Sequence, residues 1–394
     1  MFARVSSSIS KYLSKPLVRT MSTEADTLLI PGPVILSSKV QRALDVPSLS
    51  HTSPEFGAIF QRTLKNTRKL FKADEKEGQP FVIAGSGTLG WDIVGANLID
   101  NNDSALVVST GVFSEFFAEC LELYGANVDK LTAEVGDVVP TEKIREKLKE
   151  KNYKLITLTH VDTSTAVLLN VKEIAEIVRQ ISPETYIIVD GVCSIGCEEF
   201  EFKKWGIDYC LTASQKALGA PAGLSISFAS QRVVDFVKSD KYKPKSYFTS
   251  LKKWLPIMEG YENGTPKYFA TPAIQSINSL DAALQEILED GLEARWTKHA
   301  KMSTEFKDKL TKELGLKLVS KYPAESAAHG LTAIYVDEPG KVISHLKAHG
   351  VVIAGGIMPS IATKYIRVGH MGVTACDPSV DYIPTCYKLI SEAK

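Results

Sequence analysis

Two kinds of apolar pattern alternate along this chain. Short, predominantly apolar runs recur at 81–84, 105–108, 155–158, 186–189, 207–211 and 224–228, many of them rich in β-branched residues. Runs of that length suit strands buried on both faces of a sheet. Between them, apolar residues fall at helical spacing. Ser53-Pro54-Glu55 supplies an N-cap and a proline at the first helical position, and Phe56, Ile59, Phe60 and Leu64 then share one face. Further helices are expected from Gly87 through Asn97, through Cys120, and over 142–151, 171–180, 232–238, 274–288 and 296–314, with another strand near Val128. Strand, crossover helix and strand in repetition predict a mostly parallel α/β sheet. Past that the pattern becomes a smaller α/β unit, with strands at 331–336, 351–353 and around 365–369 and a helix over 341–349.

The ends of two predicted strands carry candidate chemistry. Residues 208–223 pass from an apolar run through Thr212-Ala213-Ser214-Gln215 to Lys216, then to a Gly/Pro-rich turn. A partly desolvated amine at the edge of a core is a ready nucleophile, and small neighbours (Ala213, Ser214, Ala217, Gly219) leave room for a bulky group. Taken alone, Lys216 reads better as a surface lysine in a loop. The run 186–189 ends on Asp190, where open α/β sheets bind ligands. A pyridoxal phosphate (PLP) site needs such a pair, a lysine to bond the aldehyde and a carboxylate to keep the ring nitrogen protonated. Asp190 and Lys216 lie 26 residues apart, enough for a strand, a crossover and the next strand.

After strand 81–84 comes Gly85-Ser86-Gly87-Thr88-Leu89-Gly90, opening a helix. Spelled as G-x-G-x-x-G, it raises a nicotinamide-dependent oxidoreductase as a rival. That fold needs an acid ending the second strand, to hold a ribose hydroxyl. Here the second strand ends Ser109-Thr110-Gly111. What remains is a glycine- and hydroxyl-rich helix N-terminus suited to a phosphate. Arg367 lies within the apolar Tyr365-Ile366-Arg367-Val368-Gly369, where an unpaired guanidinium is costly to bury. A carboxylate held through two parallel hydrogen bonds is one reason for it. An internal salt bridge is the other.

Composition narrows the class further. Lysine plus arginine equal aspartate plus glutamate at 46 each, which gives no reason to expect nucleic acid. No run approaches the ~18 apolar residues of a membrane span. Six scattered cysteines (120, 193, 197, 210, 376, 386) lack a second pair at zinc-like spacing, so no metal is expected. The first twenty residues differ from the rest: Arg4, Lys11, Lys15 and Arg19 are the charges, and no acid precedes Glu24. On a helix, Phe2, Val5, Ile9, Tyr12 and Leu13 share one face, which reads as a mitochondrial presequence. A plain N-terminal tail is the alternative, and a start at Met21 would give an untargeted, cytoplasmic form.

Val189-Asp190-Gly191-Val192-Cys193-Ser194-Ile195-Gly196 and Thr212-Ala213-Ser214-Gln215-Lys216-Ala217-Leu218-Gly219 together resemble the small aminotransferases of PLP fold type I. The resemblance is to the fungal alanine–glyoxylate aminotransferases, relatives of the serine–pyruvate and serine–glyoxylate enzymes, and runs from about Thr27 to near the C-terminus. It implies a large α/β cofactor domain over 40–290, a small C-terminal domain over 291–394 and an arm over 23–39; the presequence read from composition occupies 1–22. It implies that Lys216 bonds PLP, that Asp190 holds the ring nitrogen protonated, and that Phe113 and Val192 pack on opposite ring faces. Gly87, Thr88 and Gln215 would hold the phosphate, with the Thr163 hydroxyl beside the cofactor. In a homodimer with shared sites, Tyr268 and Thr271 would reach the neighbour's phosphate. Pro31 and Gly32 would line the substrate, and Arg367 would grip its α-carboxylate. The implied reaction is L-alanine plus glyoxylate to pyruvate plus glycine, with serine as the alternative donor. A cysteine desulfurase is a same-cofactor rival, with Cys376 as its only tempting nucleophile, although a helix-start cysteine in a packed domain is the plainer reading.

Overall fold

The structure, a computed structural model, describes residues 26–73 and 77–394; the expected presequence lies outside the described residues. Seven strands form the main sheet in the order Gln79–Ala84, Leu224–Ala229, Tyr209–Ala213, Tyr186–Asp190, Leu155–Thr159, Ser104–Ser109, Asn127–Thr132. Leu224–Ala229 runs antiparallel to both neighbours. The remaining pairings are parallel. The sheet is therefore mostly parallel, as the run pattern predicts. Its central strands are buried on both faces, because crossover helices such as Gly87–Leu98, Val112–Leu123 and Val171–Ile181 bring apolar stripes onto it.

The helix beginning at Pro54 forms where its cap requires. Ser53 Oγ accepts from Phe56 N at 3.2 Å, and Phe56, Phe60 and Leu64 are buried along Pro54–Leu70. The helix expected over 296–314 starts earlier, at Leu292, and its last turn widens to a π-helix over Lys309–Glu313. A second sheet of four antiparallel strands follows, in the order Lys317–Leu318, Leu331–Tyr335, Tyr365–Gly369, Ala354–Gly355. No helix among the described residues is long and apolar enough to cross a membrane.

A small apolar cluster that includes Val34, Cys193, Ala217, Leu331 and Tyr365 joins the two sheets. The arm is stitched to the smaller one. Thr27–Leu28 pairs with Val351–Val352, and Gly369 N donates to Leu29 O at 2.7 Å. A Cβ on Gly369 would lie 2.1 Å from Ile30 O, so only glycine lets the arm approach.

Candidate active site

The parallel strands end at one edge, and their C-terminal ends open into a cavity of about 170 Å³. Eight residues singled out from the sequence line it: Gly87, Thr88, Phe113, Thr163, Asp190, Val192, Gln215 and Lys216. Thr159 and Asp190 are register partners on adjacent strands, and both face the cavity. Topology, not sequence proximity, brings them together.

Asp190 is 3% exposed, and its partners are neutral. Trp91 Nε1 donates to Oδ2 at 2.8 Å and Val192 N donates to Oδ1 at 3.0 Å. No ion pair reaches it among the described residues. Burial pushes its pKa up to about 6, and the two donors offset part of that.

Lys216 follows the Tyr209–Ala213 strand, and its amine donates to the Pro31 carbonyl oxygen. A Cβ on Gly32 would lie 2.4 Å from Lys216 Cδ and 2.9 Å from Nζ, and Gly32 has φ +104°. The positive φ favours glycine there, and any side chain would also displace the end of Lys216. Buried Arg295 braces the following turn, donating from Nη2 to Ala217 O at 2.9 Å and from Nε to Gly196 O at 3.1 Å.

At the opposite wall the helix Gly87–Leu98 begins without a side-chain cap and without an acid in its first turn. Ser86, Gly87 and Thr88 at this helix start line the cavity, and an uncapped helix N-terminus favours an anion. A Cβ on Gly87 would come within 2.7 Å of Val192 Cγ2. Phe113 is fixed through its backbone: its N–H donates to Asp162 Oδ2 at 3.0 Å. The buried Asp162 also accepts from Ser114 N at 3.1 Å and from Ser164 N at 3.0 Å and Oγ at 2.6 Å. Burial pushes the Asp162 pKa up. Thr163 Oγ1 accepts from Cys193 Sγ at 3.5 Å.

Arg367 is 9% exposed and has no carboxylate partner among the described residues. Its Nε donates to Gly355 O at 2.8 Å and Nη1 to Thr163 O at 3.3 Å. The internal salt bridge considered from the sequence is absent there, and burial pushes the guanidinium pKa down.

Tyr268 and Thr271, expected to reach a neighbour's phosphate, lie away from this chain's own cavity; Tyr268 is 62% exposed, and its hydroxyl meets Thr271 Oγ1 at 3.3 Å. His160 lines a different cavity. One reading needs adjustment. Cys376 closes the short helix Val373–Cys376 and does not begin it. Its thiol lies 3.7 Å from His299 Nδ1, and burial pushes its pKa up, contrary to what a reactive nucleophile needs. Trp91, Asp162 and Arg295 escaped the sequence reading altogether, since their partners lie 99, 48 and 78 residues away.

Comparison with known proteins agrees with this geometry. The family model for aminotransferase class-V matches residues 36–373. The chain belongs to the class-V aminotransferases. This class-V chain is 58% identical over 380 residues to alanine–glyoxylate aminotransferase 1 of Saccharomyces cerevisiae, covering 95% of the chain and 99% of the yeast protein. It is 29% identical to serine–glyoxylate aminotransferase of Hyphomicrobium methylovorum, over 88% of the chain and 85% of that protein. Among solved structures, alanine–glyoxylate aminotransferase from Nostoc superposes with a TM-score of 0.84 at 25% identity, covering 98% of this chain and all of that one. As a class-V aminotransferase of PLP fold type I, the chain is an amino-group transferase. The oxidoreductase reading of the glycine motif falls with that assignment.

Proposed function

We propose that this aminotransferase uses PLP to convert L-alanine and glyoxylate into pyruvate and glycine. The observation that carries the reading is a 170 Å³ cavity in which a buried, unpaired carboxylate and a lysine face the same space. The residues fit the cofactor. Asp190 lacks only a cationic partner, which a pyridinium N–H would supply. Gln215 Oε1 and Thr159 Oγ1 are buried there without hydrogen bonds, as expected of groups that await a ligand.

When bound, PLP supplies an aldehyde for the amine and a ring that takes up the electron pair released at the substrate Cα. Lys216 Nζ would bond the cofactor and, once freed by the donor amine, would move the proton at the substrate Cα. Asp190 would keep the ring nitrogen protonated. Phe113 and Val192 would confine the ring, while Gly87, Thr88 and Gln215 would hold the phosphate. Arg367 anchors the α-carboxylate of the donor and then of the acceptor, so one site serves both halves of a ping-pong exchange.

The identity to the yeast enzyme supports alanine as donor; the serine–glyoxylate relatives make serine the alternative. The exposure of Tyr268 supports a homodimer in which Tyr268 and Thr271 complete the partner's phosphate site. The basic, acid-free residues 1–22 support mitochondrial targeting, which a reporter fused to those residues tests. For the reaction, purified protein is scanned for PLP absorbance and then mixed with L-alanine or L-serine alone, with 2-oxo acid release measured. Stoichiometric pyruvate from alanine, discharged to glycine by glyoxylate, is the expected result. A protein that releases no pyruvate from L-alanine overturns the alanine assignment, and hydroxypyruvate from L-serine in its place would favour the serine alternative.

A further inference from the structure

Tyr365 and Arg367 sit two residues apart on the strand Tyr365–Gly369, so their side chains leave the same face of the smaller sheet. Both are buried, and both reach the same two loops. One loop, 162–165, lies beyond the strand Leu155–Thr159 of the main sheet. The other, 356–358, follows the edge strand Ala354–Gly355 of the smaller one.

The two side chains divide the contacts between them. Arg367 Nη1 donates to Thr163 O at 3.3 Å, and its Nε donates to Gly355 O at 2.8 Å. The Tyr365 hydroxyl donates to Ser164 O at 2.6 Å and accepts from Ile357 N at 2.9 Å and Met358 N at 3.0 Å. Each carbonyl that meets Arg367 thus lies one or two residues from a backbone group held by Tyr365. With Nε and Nη1 engaged, those carbonyls set the direction in which the guanidinium presents its remaining protons. The second loop has little slack, since a Cβ on Gly356 would lie 2.4 Å from Tyr365 Cε1 and 2.5 Å from Ala362 O.

We propose, resting on the reading of Arg367 as the carboxylate anchor, that Tyr365 is a positioning residue for substrate. Its hydroxyl pins the two loops whose carbonyls aim Arg367. Tyr365 does not itself line the reaction cavity. The cofactor side of the first loop has its own tie, because Asp162 accepts from Phe113 N and Ser114 N.

Tyr365→Phe keeps the ring and removes only the oxygen. The holoenzyme is titrated calorimetrically with propionate, a carboxylate with no amino or oxo group to react, and assayed with L-alanine and glyoxylate. Propionate affinity and kcat/KM for both substrates should fall about tenfold, the kinetic loss carried by KM, with PLP retention unchanged. In an Arg367→Lys background the same substitution should cost little more, because the fork it aims is already gone. Gly356→Ala must move the loop off the Tyr365 ring while leaving the hydroxyl in place. It should weaken propionate binding in the same way, and it serves if Tyr365→Phe folds poorly. Equal losses in both backgrounds overturn the proposal, as does a lower melting temperature with propionate affinity unchanged. If Arg367→Lys itself binds propionate as tightly as wild type, the anchor reading has failed and the proposal falls with it.

Discussion

The indole of Trp91 donates to Asp190 Oδ2 at 2.8 Å, across 99 residues of chain, and so orients the carboxylate proposed to keep the cofactor ring protonated. Trp91 is itself stacked on Phe117, with centroids 5.5 Å apart and planes 16° apart, so the donor is rigid. Trp91→Phe keeps most of that packing but removes the N–H. It should cost about 1 kcal/mol of stability and raise the Asp190 pKa further, since a hydrogen bond to the charged form is lost. The acid limb of the activity profile should then shift to higher pH, as read from kcat/KM against pH.

Asp190→Asn leaves an amide that can accept from only one of the two neutral donors and cannot hold a pyridinium proton. Activity should fall by orders of magnitude with the fold intact. Cofactor-free stability gives a separate test. The folded pKa of about 6 lies above the ordinary carboxylate value, so the folded state binds this proton more tightly than the unfolded chain. The contribution therefore favours folding at low pH and is lost as pH rises through about 4 to 6. Relative to wild type, cofactor-free Asp190→Asn should gain roughly 2–3 kcal/mol between pH 4 and pH 7. Denaturant titration at both pH values reads it; a constant difference would mean that the carboxylate is not desolvated.

Lys216→Ala should abolish transamination without unfolding the protein, because the side chain's one hydrogen bond is to the Pro31 carbonyl. The variant should still take up PLP noncovalently, retaining it through dialysis less well than wild type. Near-normal turnover would remove Lys216 from the chemistry.

Arg367→Lys keeps the charge and loses the planar fork. Two charge-assisted bonds at roughly 1.5–3 kcal/mol each predict at least a tenfold loss in kcat/KM for alanine and glyoxylate alike. PLP absorbance should be unaffected. A melting temperature that falls while kinetics hold would make the arginine structural.

Asp162→Ala strips the acceptor from Phe113 N, Ser114 N and Ser164, leaving buried N–H groups unpaired. About 2–4 kcal/mol of destabilisation is expected. Asp162→Asn should recover part of it. Phe113→Leu, which alters the ring wall without touching those bonds, should change PLP retention with little change in stability.

The parallel strands were legible because burial on both faces writes itself into consecutive apolar residues, as in Leu155–Thr159 and Tyr186–Asp190. Strand ends were less so. The run starting at Ile207 begins two residues before its strand, Tyr209–Ala213, because the Asp208 carboxylate is used by Arg179 and by Ile187 N. The helix Leu251–Glu262 carries Pro256 in its interior, and the C-terminal helix Tyr382–Ala393 has Pro384 in its first turn. Both carry buried apolar residues at helical spacing, Leu251, Trp254, Leu255 and Met258 in one and Ile383, Cys386, Leu389 and Ile390 in the other, yet a proline within the run argues locally against a helix. For the site, residues on strand ends and glycine turns could be named from local pattern and resemblance. Trp91, Asp162 and Arg295 act only through partners set opposite them by the fold, and a helical Trp or a loop Asp looks the same with or without such a partner.

The arm that runs from Thr27 to Gly32 is a strand at one end and, at the other, offers the Pro31 carbonyl to the Lys216 amine. Its length is therefore not free. Any maturation that removes leader residues has to cut ahead of Thr27, because trimming even a few residues further would unpair Val351–Val352 and withdraw the carbonyl that meets Lys216. If residues 1–22 act as the proposed targeting segment, address and catalytic competence adjoin along the chain, and a cut a few residues too late would yield a sorted but inactive enzyme.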